Sequence, residues 1–192
     1  MKRALALLVV VACSGGDKTA VSKPKPGGDR EGGLLAFEKV RSVLQSPRCQ
    51  NCHPAGDTPL QGDEGRPHNQ NVQRGPEGKG NVGMLCTTCH NAANAPDGYG
   101  EHVPPGASTG WRMPPPSEKM VFVGVAPGPL CEGLKDPAKN GHRDLAALRT
   151  HLDDPLVAWG WNPGRGRTPI PLTRADFLAA FEAWSAAGAP CP

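Results

Sequence analysis

The sequence predicts a mainly α-helical fold with extensive irregular loops, gathered into a single compact domain. Three observations predict it. Apolar residues recur at helical spacing in only three stretches, and no stretch of comparable length alternates as a buried strand would. The 192 residues include 25 Gly and 22 Pro but only 5% aromatic residues, too little periodic apolar sequence for a conventional core. Finally, Cys49-Gln50-Asn51-Cys52-His53 and Cys86-Thr87-Thr88-Cys89-His90 both read C-x-x-C-H, the pattern of covalent c-type haem attachment. Two haems bonded to the chain would supply the apolar interior that its composition lacks.

The chemistry requires that spacing. Two thiols must reach the two vinyl groups on one edge of a porphyrin, and the residue after the second Cys then lies under the ring. From there an imidazole nitrogen can bind the iron. The candidate attachment residues are therefore Cys49, Cys52, Cys86 and Cys89, with His53 and His90 as iron ligands. Zinc bound by two C-x-x-C pairs is one alternative, but such pairs usually stand about 15–20 residues apart. Here 33 residues intervene, and zinc gives no reason for a His after each pair. A redox dithiol is the other alternative, and it calls for a βαβ setting that neither motif has.

The chain opens with Lys2 and Arg3, an apolar run from Ala4 to Val11, then Ala12, Cys13 and Ser14. A charged start, a short apolar stretch and a small residue before the cleavage point make an export signal, here residues 1–12. The run is too short to cross a bilayer as a helix. Val10-Val11-Ala12-Cys13 resembles a bacterial lipobox, with Cys13 as the lipidated residue; an ordinary signal peptide that contains a Cys is the plainer alternative. Several acyl chains would anchor the protein stably, and Ser14 favours the outer membrane. Residues 13–31 carry almost no large apolar side chain and read as a flexible tether. The domain occupies 32–192. Export to the periplasm agrees with haem attachment, and an oxidising compartment favours a disulfide between the two remaining cysteines, Cys131 and Cys191.

Within the domain, Leu34, Phe37, Val40 and Leu44 predict a helix that Pro47 stops just before the first motif. From Pro54 to Val82 the chain has no period and reads as a loop laid over porphyrin faces. Leu145, Leu148 and Leu152 share one face of a helix near residues 143–153, with His151 at its shoulder. Leu156 to Gly164 reads as an aromatic, Gly-rich turn. The last helix starts at Thr173-Arg174-Ala175-Asp176, a variant capping box, places Phe177, Phe181 and Trp184 on one face and ends at Gly188. The 33-residue spacing is too short for two haem domains in tandem, so both haems belong to one domain and lie close together, as stepwise electron transfer needs.

The sixth ligand of each iron decides between electron transfer and ligand chemistry, and Met raises a haem potential relative to His. His68, in the inter-motif loop, and His151, beside Leu148, are the leading candidates. Their plain alternatives are a solvated loop residue and a half-buried histidine satisfied by Asp153 or Asp154. Met113, which precedes a Pro run, follows them. Met84 and Met120 read as core fillers, and His102 and His142 as exposed. Arg165 and Arg167 suit either haem propionates or a solvated basic loop. A net charge of +3 with no basic patch among aromatics argues against nucleic acid.

The two motifs resemble those of exported di- and multihaem c-type cytochromes. More closely, Cys52-His53-Pro54-Ala55-Gly56-Asp57, Pro59-Leu60-Gln61-Gly62-Asp63, His68, Asn140-Gly141, His151 and Leu156-Val157-Ala158-Trp159-Gly160-Trp161 are similar to small bacterial proteins labelled as subunits of an isoquinoline 1-oxidoreductase. The similarity spans about Phe37 to Pro192. It implies an electron-accepting role beside a molybdenum hydroxylase or another periplasmic dehydrogenase, and it adds weight to His68 and His151 as ligands. The expected function is electron transfer by a lipid-anchored dihaem cytochrome c that carries out no substrate chemistry itself. The rival expectation is a haem enzyme, a small peroxidase or an oxidoreductase subunit, with one open iron; Glu101 and His102 are its only candidate acid–base pair.

Overall fold

The computed structural model describes residues 29–192. The expected export signal, the expected lipidation residue Cys13 and most of the expected tether therefore lie outside the described residues. Among those described, no helix is long and apolar enough to cross a membrane.

The framework is an antiparallel-like pairing of the first and last helices. Helix α1 (Arg30–Leu44) is capped by Asp29, whose carboxylate accepts from the Gly32 amide. It buries Phe37, Val40 and Val43 against Phe177, Phe181 and Trp184 of α7 (Arg174–Ala186). Trp184 and Phe37 are fully buried, with ring centres 5.5 Å apart. Thr173 caps α7 as the capping box predicts, its hydroxyl oxygen accepting from the Asp176 amide, and Gly188 follows the helix with φ of 83°, where a side chain would be strained.

Pro47 behaves differently from the sequence expectation. It opens a separate one-turn helix, α2 (Pro47–Gln50), for which Ser46 is the cap. A proline at the first helical position gives up an amide that has no partner in any case, so it can start a helix as readily as it stops one. The inter-motif loop is also not formless. It holds two minimal antiparallel ladders, β1 (Leu60–Gln61) with β2 (Arg66–Pro67), and β3 (Gly80–Asn81) with β4 (Met84–Leu85).

Three further helices close the core. Helix α3 (Pro127–Lys135), which the sequence reading missed, buries Leu130, Cys131 and Leu134. A one-turn helix, α4 (Pro137–Asn140), leads into α5 (Leu145–His151), which lies where Leu145, Leu148 and Leu152 predict a helix. Asn140 knots the three: its amide donates to the carbonyls of Leu134 and Arg143, and its oxygen accepts from the Arg143 amide. The expected turn after residue 155 is a helix, α6 (Pro155–Ala158), continued by a 3₁₀ turn at Trp159–Trp161.

Cys131 and Cys191 stand at disulfide distance, their Cα atoms 5.6 Å apart across 60 residues of sequence. The bond ties α3 to the tail beyond α7. The loops are tied by Arg74, whose side chain is 1% exposed. It donates to the Gly56 and Pro114 carbonyls and to Asp57. Close by, Gly78 accepts the Met113 amide at 2.8 Å; a Cβ at Gly78 would meet the Met113 carbonyl oxygen at 2.1 Å, so only glycine fits.

Two stability predictions follow from these ties. Replacing both Cys131 and Cys191 by Ala lowers unfolding free energy by about 4 kcal/mol in the chain-entropy model, read by denaturant titration. Arg74→Met removes the buried donor shared by the Gly56 and Pro114 carbonyls and Asp57 and costs about 1–3 kcal/mol by the same measurement.

Candidate functional site

Both C-x-x-C-H motifs wind as single helical turns. In the first, α2 runs on through Cys52 N–H to the Cys49 carbonyl (3.2 Å) and His53 N–H to the Gln50 carbonyl (3.0 Å). In the second, a 3₁₀ turn at Cys86–Thr88 is closed by the amides of Cys89 and His90 on the Cys86 carbonyl, at 3.3 and 3.0 Å. A helical turn carries residues three apart to neighbouring positions on one side. Each pair of thiols is thereby presented together, with its histidine just beyond.

The two histidines share one environment. His53 Nδ1 lies 2.9 Å from the Met120 carbonyl oxygen and His90 Nδ1 lies 2.8 Å from that of Pro105. A carbonyl can only accept, so each ring carries its proton on Nδ1 and leaves the Nε2 lone pair free to bind a metal. Each ring also stacks on an aromatic side chain. His53 lies 4.0 Å from Phe122 at an interplanar angle of 16°, and His90 lies 4.5 Å from Trp111 at 6°. Burial pushes both imidazoles down to about 4, so both are neutral at physiological pH. Burial raises Cys49 to about 12 and Cys52 to about 11, with repulsion from Cys52 adding at Cys49 and from Cys86 adding at Cys52. The last effect also says that the two motifs are neighbours.

The first motif opens onto a cavity of about 430 Å³, within the range of small-molecule and cofactor sites. Cys49, Cys52 and His53 form one wall, and His151, Leu152 and Leu156 stand among the residues of the others. The thiols are half-exposed because they border this cavity, while protein surrounds them on their remaining sides. His151 is thus brought into the same space as His53, and it shares that space without a competing partner. Asp153 is held by Arg149 and Arg174, and Asp154 by Arg112, Thr109 and the Leu156 amide. Burial lowers the His151 pKa too.

At the second motif, His68 faces His90, their ring centres 6.2 Å apart. An imidazole nitrogen sits about 1.1 Å from its ring centre and binds a transition metal at about 2 Å. Two imidazoles on opposite sides of one ion therefore have centres about 6 Å apart. His68 Nδ1 donates to the Asn69 carbonyl at 2.8 Å, which again leaves Nε2 free. This site is open where the first is enclosed: Val82 is 99% exposed, and Met84 and Leu85 are exposed beside it.

The remaining candidates fall elsewhere. Met113 is buried and borders the cavity, Met120 borders it and supplies the carbonyl that holds His53, and Met84 is exposed rather than a core filler. His102 and His142 are exposed. Arg165 donates to the Asp97 carbonyl and pairs with Glu101, while Arg167 donates to the Pro163 and Val103 carbonyls. Among the described residues no three His, Cys, Asp or Glu side chains gather as a metal cluster, so the two C-x-x-C pairs do not converge on a shared zinc position. The thiols of Cys49, Cys52 and Cys86, raised by burial, are also the opposite of the depressed thiol a redox dithiol needs.

Sequence reasoning missed four contributors. Phe122 and Trp111 stack on the motif histidines. Arg48, buried just before the first motif, donates to Asp63 and the Gly62 carbonyl and lies 5.8 Å from the Trp159 ring centre. Arg74 is the fourth. An arginine next to a C-x-x-C pair is a visible signal; the stacking partners have none, because they lie far off in sequence.

No protein-family model matches the chain, and neither a curated protein nor a solved structure is detectably similar to it.

The depressed histidines set the acid limb of stability. The unfolded chain takes up protons from about pH 6.5 downward, while the folded one refuses them until about pH 4. Stability is thus full above 6.5 and is lost as pH falls toward 4, with about two protons bound on unfolding in that window. Denaturant midpoints measured from pH 7 to 4.5 report it. A second decline begins as pH falls into the ordinary carboxylate range, where the unfolded chain takes up protons that Asp57 and Asp153, both lowered by hydrogen bonds to cationic partners, still refuse in the folded state.

Proposed function

We propose that this chain is an electron carrier that holds two c-type haems, one bonded through Cys49 and Cys52 and the other through Cys86 and Cys89. His53 with His151 would bind the first iron, and His90 with His68 the second. The observation that carries this is repetition. Two separate motifs meet the same surroundings: an Nδ1 proton given to a backbone carbonyl, a near-parallel aromatic ring, and another histidine nearby, His68 6.2 Å from His90 by ring centres and His151 in the cavity that His53 lines.

Haem, when bound, supplies a one-electron iron couple. The chain's own residues do the rest. Met120 and Pro105 fix the tautomer of the proximal imidazoles and strengthen them as ligands. The apolar walls contributed by Leu148, Leu152, Leu156 and Val157 hold water away from the first site and lower the local dielectric. With His53, His151, His90 and His68 all engaged, neither iron would keep a free position for substrate, so substrate chemistry is not part of the proposal. Export by residues 1–12, anchoring at Cys13 and a tether to residue 31 would set the domain in the periplasm, facing redox proteins such as a molybdenum hydroxylase or another dehydrogenase.

The test is to express the full chain in a host that matures c-type cytochromes. The product should be coloured, exceed the mass of the processed polypeptide by two haems, and show two low-spin ferric centres without the near-infrared band of Met–iron ligation. His151→Met should bring that band in at the first site alone and raise its potential; His68→Met should do so at the second. CO added to the reduced wild type should change neither spectrum, whereas CO binding at one haem would support the rival enzyme. A colourless product of bare polypeptide mass refutes the proposal.

A further inference from the structure

Between the two sites runs a pair of indoles that neither site needs for its ligands. Trp111 lies flat on His90, 4.5 Å away and 6° from parallel. Trp111 also meets the Trp159 ring, edge-on at 4.8 Å and 87°. Trp159 in turn borders the cavity that Cys49, Cys52 and His53 open onto. The chain His90–Trp111–Trp159–cavity is thus a continuous series of aromatic contacts from the ligand of one site to the wall of the other. Its parts are held in place. The Trp159 indole N–H donates to Asn94 Oδ1 at 3.1 Å, the same oxygen accepts the Gly106 amide at 3.1 Å, and the Arg48 guanidinium sits 5.8 Å from the Trp159 ring centre. Arg112, next to Trp111, is fixed by Asp154 and the Thr109 carbonyl.

We propose, resting on the dihaem function above, that Trp111 and Trp159 are positioning residues that couple the two haem sites electronically. Trp111 locks the plane of the His90 imidazole, and the two indoles fill with π density a gap that aliphatic side chains would leave poorly coupling. The transfer moves one electron from one iron to the other. It breaks no bond and releases no proton, and the indoles end unoxidised.

The test uses the full, haem-loaded protein and three variants, Trp159→Leu, Trp159→Phe and Trp111→Leu. Mass and ferric electron paramagnetic resonance come first, and both are independent of electron flow. Trp111→Leu should broaden or shift the signal of the second site only, because its ligand plane is released; Trp159→Leu should leave both signals in place. Pulse radiolysis with less than one reducing equivalent then gives the concentration-independent phase in which the electron redistributes. Both Leu variants should slow that phase by roughly an order of magnitude at unchanged potentials, and Trp159→Phe, which keeps an aromatic ring, should restore most of it. Wild-type rates in both Leu variants would overturn the coupling role and assign transfer to a direct path between the neighbouring Cys52 and Cys86 edges. Absence of haem from the wild type would instead remove the proposed function itself.

Discussion

Each motif histidine gives its Nδ1 proton to the backbone carbonyl of a segment far along the chain, Met120 for His53 and Pro105 for His90, and the rest of the structure is arranged to keep those two oxygens still. Neither carbonyl belongs to a helix or a strand. Their segments are braced from outside instead: the Phe122 amide donates to the His53 carbonyl, the Ala107 amide to Asn91, the Met113 amide to Gly78, and Arg74 reaches the Pro114 carbonyl. A Pro-rich segment suits this task. Its fixed φ limits movement, and its missing amides reduce the number of donors that must be satisfied. The prolines and glycines of residues 54–116 are therefore the material of a bracket, not of a disordered linker.

The two sites differ in one respect that matters for their proposed use. The first is walled by the α1–α7 core and by α5 and α6, whereas the second lies at the surface beside the exposed Val82, Met84 and Leu85. Burial and solvent exposure are among the few levers by which a protein tunes an iron centre whose ligands are the same. Two bis-histidine sites would be separated in potential by this difference, and the surface site is the one a partner protein can approach.

Much of this was legible in the chain. Helices α1, α5 and α7 announce themselves by period, α7 also by its cap, and the motif residues by their spacing. His68 and His151 were candidates in the sequence; the His68 ring centre lies 6.2 Å from that of His90, and His151 borders the cavity that His53 also lines. Other features left no local trace. Helix α3 carries two prolines and two glycines or near neighbours in its first turns and buries only Leu130, Cys131 and Leu134, too few apolar positions to set a period. Pro47 read as a stop because its place at the start of a new turn depends on Ser46 adopting a cap geometry. The stacks of Phe122 and Trp111 join positions tens of residues apart or lie across a loop, and a single sequence has no means of pairing them.

The cavity beside the first motif ties assembly to folding. Left unfilled, 430 Å³ of apolar-lined space would cost on the order of 10 kcal/mol at the rate measured for core cavities. That is an upper figure, since water can enter from the rim, but it is comparable to the whole stability of an ordinary domain. The same walls are formed by Val40, Val43 and Leu44 of α1 and by Phe177 and Phe181 of α7, the residues on which the framework itself depends. A polypeptide built this way has little to gain by folding around nothing. Its thiols, kept protonated by burial, are walled in only once the core has formed, so the proposed haem attachment would precede or accompany closure of α7 over α1. The disulfide at Cys191, at the far end of the chain, would then be the last tie made, sealing a core that its occupant had already filled.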